Sequence, residues 1–446
     1  MFGSIAFLLF LAGCASKGSQ EPFFDYQSEA AQGAESTSAK AGSRGEQPKD
    51  GSASALLGNS QVGPNYKVNP TVVSNGRYNI YTFETERGNY TVTGDALARK
   101  HIQELTALEA LKAYSPTAEF VHGAGDAVTG PVKGVFTAVT NPAGASKATY
   151  ANVERQAKSV QRGFSKAGEF VTTLGKPEKW QPSREDEDLI DKLVDRQKEK
   201  RRLAQALNVD PYTHFVPLSN ELTKMASYSA TGTFSVKRAL GFVSGGAGTV
   251  ISGIGFVDSF TTQTIDMAPD EISAVNRERL QKLNISDSTI KKFLLSDKLT
   301  PTERTLAVGY LTGLSGVAGL ENIVAFIAES PTRHDAFFAL QTLSYLSAQP
   351  FGSGPVAHAE IVHGIPIFSF GDSKKIALLT SDQLFWTPPN ASQLSSLGEA
   401  PRGNGGGAPN REIWVSGGIS DLAKRQLQRQ GWVVKANIFS NSRWLI

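Results

Sequence analysis

Cysteine is almost absent from this chain, because Cys14 is the only one among 446 residues. A single cysteine cannot form an intrachain disulfide, so a folded body must be stabilised by the burial of apolar side chains. An excess of charge of one sign is also absent. The 45 Lys and Arg residues nearly balance the 42 Asp and Glu residues, for a formal net charge of +3. This balance argues against the basic surface that binds nucleic acid, and no nucleic-acid partner is expected.

Signature motifs of common enzymes are missing as well. No serine stands in the pattern G-x-S-x-G, which exposes the nucleophile of α/β hydrolases. The glycine-rich stretch from Ala239 to Val257 contains neither G-x-G-x-x-G nor G-x-x-x-x-G-K-S/T, the loops that hold phosphate groups. The sequence therefore does not indicate which reaction, if any, the protein catalyses, and no cofactor is expected.

The N-terminus has the pattern of an export signal. Phe7–Leu11 is a short apolar core, and the small residues Ala12 and Gly13 separate it from Cys14. The segment is too short to cross a bilayer, which takes ~20 apolar residues. The tetrapeptide Leu11–Cys14 resembles the lipobox of bacterial lipoproteins. The resemblance implies that residues 1–13 are a signal peptide and that Cys14 carries the lipid anchor.

Two features of this signal depart from the usual pattern. No Lys or Arg precedes the apolar core, and only thirteen residues precede Cys14, which leaves open a start further upstream. The residues after the cysteine, Ala15 and Ser16, are not acidic. By resemblance to lipoproteins of Gram-negative bacteria, this implies a lipid anchor in the outer membrane at its periplasmic face. Acyl chains contribute ~0.8 kcal/mol per buried methylene, so several chains together give stable anchoring.

Residues 14–70 are rich in Ser, Ala, Gly, Gln and Glu and contain few large apolar side chains. Such a composition cannot bury enough apolar surface to offset its chain entropy, so it predicts a disordered tether. A flexible coil of about 55 residues spans roughly 40 Å on average. The composition leaves two interpretations open. The tether either has a function, which is to hold the body off the membrane, or is a linker with no role beyond spacing.

Residues 71–350 predict a β-hairpin followed by a mainly helical domain. Apolar and polar residues alternate from Arg77 to Val92, which is typical of a hairpin, and a helical pattern begins at Asp95. From Pro269 to Ala348 the pattern is helical throughout. Within that region, Thr300 and Ser330 each precede a proline and are predicted to cap helices.

Residues 351–446 predict a small α/β domain that begins with two strands. Ile361–Phe370 and Lys375–Thr380 are rich in β-forming residues, and Gly371-Asp372 between them predicts a turn.

The end of the chain predicts a β-α-β unit. A strand at Ile413–Val415, a helix capped by Ser420 and a strand at Trp432–Val434 indicate parallel pairing. The fold class is therefore α+β and mainly helical, with an N-terminal β-hairpin, a helical middle region and a small C-terminal α/β unit.

Ala239–Val257 is a run of nineteen uncharged residues, in which Gly241, Gly245, Thr249 and Gly253 recur at four-residue spacing. Small residues at this spacing let helices pack closely, in a bilayer or in a soluble core. Burial in the body is favoured because the many glycines offer little apolar surface to lipid. Membrane insertion and a glycine-rich loop are the alternatives.

Two groups of residues are weak candidates for a site. His358, Glu360 and His363 could ligate a metal, but a zincin places its histidines four residues apart on a helix, whereas here they are five apart on a predicted strand. No metal is therefore expected. Gly417 and Gly418 precede the helix at Ser420 and could bind an anion there, although a tight turn with an N-cap explains the same pattern.

The body resembles an uncharacterised family of bacterial lipoproteins and periplasmic proteins, over roughly residues 78–436. The residues that carry the resemblance are Glu104–Leu108, Ser115, Gly134–Pro142, Asn208–Thr213, Trp414–Gly417 and Gly431–Val434. The family has no assigned reaction, so the resemblance implies no catalytic residue.

Together these patterns predict a membrane-anchored periplasmic lipoprotein that acts as a non-enzymatic binding or assembly module of the cell envelope, with an envelope protein as its partner. One alternative is an envelope hydrolase whose site forms only in the fold. Another is a protein that inserts into the membrane through residues 239–257.

Overall fold

The computed structural model describes residues 45–86, 88–113, 196–229, 267–348, 356–370, 374–398 and 411–438. Cys14, Ser115 and the stretch 239–257 lie outside the described residues. The chain divides into two compact units. One comprises residues 1–109, 208–221 and 250–446, and the other comprises residues 110–207 and 222–249.

The described elements form an α+β fold. The strands are β1 (Gly51–Ser52), β2 (Val62–Gly63), β3 (Tyr66–Val68), β4 (Thr71–Ser74), β5 (Asn79–Thr85), β6 (Gly88–Thr93), β7 (Val356–Val362), β8 (Ile365–Phe370), β9 (Lys374–Leu379), β10 (Gln383–Leu384), β11 (Arg411–Val415), β12 (Gly418–Ile419) and β13 (Val433–Lys435). The helices are α1 (Ala53–Leu57), α2 (Asp95–Ala113), α3 (Val216–Ser229), α4 (Pro269–Lys282), α5 (Asp287–Leu295), α6 (Pro301–Gly313), α7 (Leu320–Ala328), α8 (Arg333–Ala348), α9 (Pro388–Ser395) and α10 (Asp421–Arg429). Among these helices, none combines the length and the apolar character needed to cross a bilayer.

The N-terminal sheet is built around β5. The predicted hairpin is confirmed, because β5 pairs antiparallel with β6 along its whole length. The other side of β5 pairs with β4 and β3, and the sheet extends outward to β1 and β2.

Residues 45–70, predicted as part of the tether, are instead folded. Residues 51–68 contribute β1, α1, β2 and β3, and Ala53 and Val68 are fully or almost fully buried. The prediction was wrong here because few apolar residues suffice when each one enters a core made by distant parts of the chain.

The second sheet has the order β13-β11-β9-β8-β7. β7, β8 and β9 pair antiparallel, whereas β9, β11 and β13 pair parallel, which confirms the predicted β-α-β unit. Residues 250–446 fall in one compact unit, so the helices before residue 350 and the strands after it lie in the same unit. The helices that precede residue 350 form one of the two layers that cover this sheet.

Alternate residues of the second sheet enter two different cores. On one face, Phe368, Phe370, Ile376 and Leu378 pack with buried residues of α5 to α8. On the other face, the side chains pack against α9 and α10; they belong to Ile365, Ile367, Ala377, Leu379, Ile413 and Val415. A sheet covered by helices on both sides explains why its central strands are apolar at consecutive positions.

Two local predictions require correction. Ile361–Phe370 is not one strand, since Val362 pairs with Ile365 across a two-residue turn at His363-Gly364, where both residues have positive φ angles. Ser330 is not the cap of α8, because its hydroxyl donates back to the Phe326 carbonyl. Thr332 accepts the backbone N–H of Asp335 instead and caps the helix.

Candidate functional site

The three residues considered for a metal do not converge. His358 lies exposed on β7, and His363 lies exposed in the turn that follows. Glu360 forms an ion pair with Lys375 at 3.0 Å. Among the residues that the structure describes, no three His, Cys, Asp or Glu side chains are grouped closely enough to hold a metal ion.

Of the residues considered for an anion, Ser420 contacts a carboxylate of the same chain. Ser420 is the N-cap of α10, and its hydroxyl donates to Glu46 Oε1 while it accepts the Ala423 N–H. Gly418 donates its N–H to the Asp382 carbonyl. A carboxylate therefore does lie beside a helix N-terminus, where the helix dipole favours negative charge.

A cluster of buried charges lies where α2, α6, α8 and the segment 208–215 meet. We define the buried ion cluster as Lys100, Glu104, Asp210, Glu303 and Arg333. Glu303 is at its centre, with an exposed fraction of 1%; its Oε1 accepts from Lys100 Nζ at 2.7 Å and from Arg333. Asp210 accepts the hydroxyls of Thr300 and Thr302 at the start of α6.

Local sequence explains why Glu303 points into this cluster. It is the third residue of α6, and its Oε2 accepts the N–H of the N-cap residue Thr300, whose hydroxyl in turn accepts the Glu303 N–H. This reciprocal pair is a capping box, and it orients the carboxylate before any distant residue is involved.

A chain of hydrogen bonds runs beside the cluster through His101. Its Nδ1 lies 3.1 Å from Glu104 Oε2, and its Nε2 lies 2.5 Å from the Tyr90 hydroxyl. Thr213 donates to the other oxygen of Glu104. A carboxylate only accepts, so Nδ1 donates to Glu104, and Tyr90 donates to Nε2 whenever that nitrogen is unprotonated.

The pKa values in the cluster favour ionised carboxylates. Burial alone would raise the pKa of Glu303, but the positive charges of Arg333 and Lys100 outweigh burial and hold it well below its usual value. Burial also opposes ionisation of Glu104, yet the hydrogen bond from His101 and its charge lower the pKa. For His214, burial and the nearby Arg333 lower the pKa, so its ring is neutral at pH 7.

One small pocket opens onto this cluster. It has room for about one water molecule. Its lining consists of Val92, Leu97, Lys100, His101, Glu104, Thr213, His214, Thr300 and Arg333. Most of the charged groups that line the pocket already bond to one another. This arrangement favours a role in stabilising the fold over a role in binding a substrate.

A second polar site joins the N-terminal sheet to the loop before β10. Asp382 Oδ2 accepts the backbone N–H groups of Asn79 and Asp95, at 2.8 and 3.1 Å. Asp95 Oδ1 accepts from Asn79 Nδ2 and from the Tyr81 hydroxyl. Burial, followed by the adjacent charge of Asp95, raises the pKa of Asp382 well above its usual value. The two carboxyl groups therefore form an Asp95–Asp382 pair in which one holds a proton more readily than an ordinary aspartate.

Sequence reasoning missed both polar sites. A signal for one was present, because Thr300 and Glu303 match the T-x-x-E pattern of a capping box. No sequence pattern indicated the Asp95–Asp382 pair, because its two residues lie 287 positions apart.

Comparisons with models of protein families, with curated proteins and with solved structures found no match for this chain.

Proposed function

We propose that this protein is an outer-membrane lipoprotein anchored through Cys14 at the periplasmic face, and that its body is a binding module for an envelope protein. The observation that carries the location is the Leu11–Cys14 tetrapeptide followed by a polar segment. The proposed layout is an N-terminal hairpin, a helical middle region and a C-terminal α/β unit, held on the tether.

The pairing of the buried charges supports a binding role over catalysis. Glu303 is bonded to Lys100 and Arg333, and Glu104 to His101 and Thr213, so these groups stabilise the body. An enzyme keeps its reactive groups accessible to substrate, next to a pocket of substrate size. A body of this kind is suited to present a rigid surface to a partner.

Replacing Cys14 with Ser tests the anchor. The variant cannot form the thioether to diacylglycerol, so it should move from the membrane fraction to the soluble fraction and lose incorporation of labelled palmitate. Ser16→Ala leaves the tetrapeptide intact and should fractionate like the parent. A Cys14→Ser protein that stays fully membrane-bound would overturn the proposal.

The choice of membrane is tested separately with Ala15→Asp. By resemblance to Gram-negative lipoproteins, an acidic residue directly after the lipidated cysteine retains a lipoprotein in the inner membrane. The variant should therefore shift from the outer-membrane to the inner-membrane band in a sucrose gradient, with its palmitate label unchanged. An unchanged gradient position would contradict the outer-membrane assignment.

The Asp95–Asp382 pair favours a second candidate function, an envelope hydrolase. A protonated carboxyl beside an ionised one supplies a general acid and a general base, the arrangement that many hydrolases use. Asp382→Asn should then abolish the release of soluble fragments from isolated envelopes, whereas Asp421→Asn, at an exposed position on α10, should leave it unchanged. Equal release by the parent and both variants, or no release at all, would exclude this function.

A further inference from the structure

A short strap, defined as residues 45–50, crosses the surface of the C-terminal α/β region. Gly45, Gln47, Lys49 and Asp50 are exposed, and only residues 46 and 48 are half-buried. The strap is held at Glu46 and, at its other end, by a hydrogen bond from the Ser74 backbone N–H to Asp50 Oδ1 at 3.3 Å.

Glu46 makes a three-point contact. Its backbone N–H donates to the Trp386 carbonyl at 3.0 Å, and its Oε1 accepts the Trp386 N–H at 2.6 Å. The Ser420 hydroxyl donates to the same oxygen. The site thus forms hydrogen bonds with both the backbone and the side chain of one glutamate in an extended segment.

The receiving side of this contact is rigid. Trp386 is buried in the core that also contains Ala423 and Leu427 of α10. Ser420 is fixed as the N-cap of the nine-residue helix α10, and its own N–H donates to the Leu384 carbonyl at 2.8 Å. The positive end of the helix dipole adds attraction for a carboxylate.

We propose that Trp386 and Ser420 form a docking site for a glutamate in an extended peptide of a partner protein, and that Glu46 closes this site in the free protein. The inference rests on the proposed binding role and names the chemistry of the partner. The strap is mostly exposed and contacts Trp386 and Ser420 through Glu46, so this part of it can exchange with a competing peptide. Because the strap belongs to the same chain, its high effective concentration weakens binding of that peptide.

Binding of a labelled peptide to the full chain in detergent tests this proposal. The probe is a fluorescent peptide with the sequence of residues 45–50, and the matched control peptide has Gln in place of its Glu. Glu46→Ala vacates the site and should bind the probe about tenfold or more tightly than the parent protein does. The control peptide, and the double variant Glu46→Ala/Ser420→Ala, should each lose about tenfold in affinity. Equal binding of the two peptides, or no binding by a folded Glu46→Ala protein, would overturn the docking site.

A second measurement needs no variant. Excess probe should displace the strap in the parent protein and speed up trypsin cleavage after Lys49, whereas the control peptide should not. An unchanged cleavage rate would contradict exchange of the strap. Both experiments are independent of lipidation, so failure here with Cys14-dependent anchoring intact would remove the docking site and leave the anchor standing.

Discussion

Glu303 is a buried residue at which two positively charged side chains meet. Its carboxylate receives Lys100, Arg333 and the Thr300 N–H while almost none of its surface meets solvent. A buried ion pair contributes little compared with a well-packed apolar group, but removal of one partner leaves the other charge buried without compensation. The cluster therefore makes the body sensitive to single substitutions.

Glu303→Gln is expected to lower the free energy of unfolding by about 3–5 kcal/mol, because Lys100 and Arg333 lose their shared counter-charge. Denaturant unfolding followed by circular dichroism measures the loss. The control is Glu278→Gln, which breaks the exposed pair with Lys282 on α4 and should leave the midpoint unchanged. Equal midpoints for the two variants would show that the cluster does not contribute to stability in this way.

Among the elements, the turn between β11 and β12 depends on close contact between backbone segments. Gly417 packs against the backbone oxygens of Ser381 and Asp382, which occupy the space that a Cβ would need. Gly418 donates to the same Asp382 carbonyl, and Ser416 bonds to Ser381 through its hydroxyl. The glycine is thus required by close approach of two chain segments, in agreement with the tight-turn interpretation of this pattern.

Gly417→Ala should destabilise the body by about 1–3 kcal/mol or more, because backbone atoms cannot move aside as a flexible side chain can. The matched control is Gly313→Ala at the end of α6, where the nearest side-chain atom is Ser347 Cβ at 4.0 Å. Alanine favours the helix, so the control should be neutral or slightly stabilising. Thermal unfolding of the two variants distinguishes them, and similar melting temperatures would refute the close-contact argument.

At the scale of the whole molecule, a fall in pH has two opposite effects on the stability of the folded body. Glu303 and Glu104 have lowered pKa values, so their contribution is complete above the ordinary value of 4.5 and is lost as pH falls through the folded values. Asp382 has a raised pKa, so its contribution is complete below the ordinary value of 3.8 and is lost as pH rises through the folded value. The pH of maximal stability depends on which group dominates.

Asp382→Asn separates the two effects. The amide oxygen can still accept the N–H groups of Asn79 and Asp95, and the variant carries no charge beside Asp95. Between pH 4 and pH 7, the free energy of unfolding of the variant relative to the parent should therefore rise with pH until the folded pKa of Asp382 is passed. Urea unfolding at several pH values measures this difference. Parallel stability curves would contradict a raised pKa for Asp382 in the folded protein.

The sequence alone determined the features that depend on near neighbours. The hairpin of β5 and β6, the helices from α4 to α8 and the final β-α-β unit follow from periodicity and capping within a few residues. The lipobox is likewise a local pattern, and it remains the basis of the proposed anchor.

Only the tertiary structure decided which distant residues meet. Lys100 and Glu303 are separated by 203 positions, Glu46 and Ser420 by 374, and no local pattern links the members of either pair. The same holds for residues 45–70, whose few apolar side chains are buried only because other strands surround them. Periodicity shows which face of an element is apolar, whereas the partner of each polar group depends on how the elements pack, and packing is a property of the whole chain.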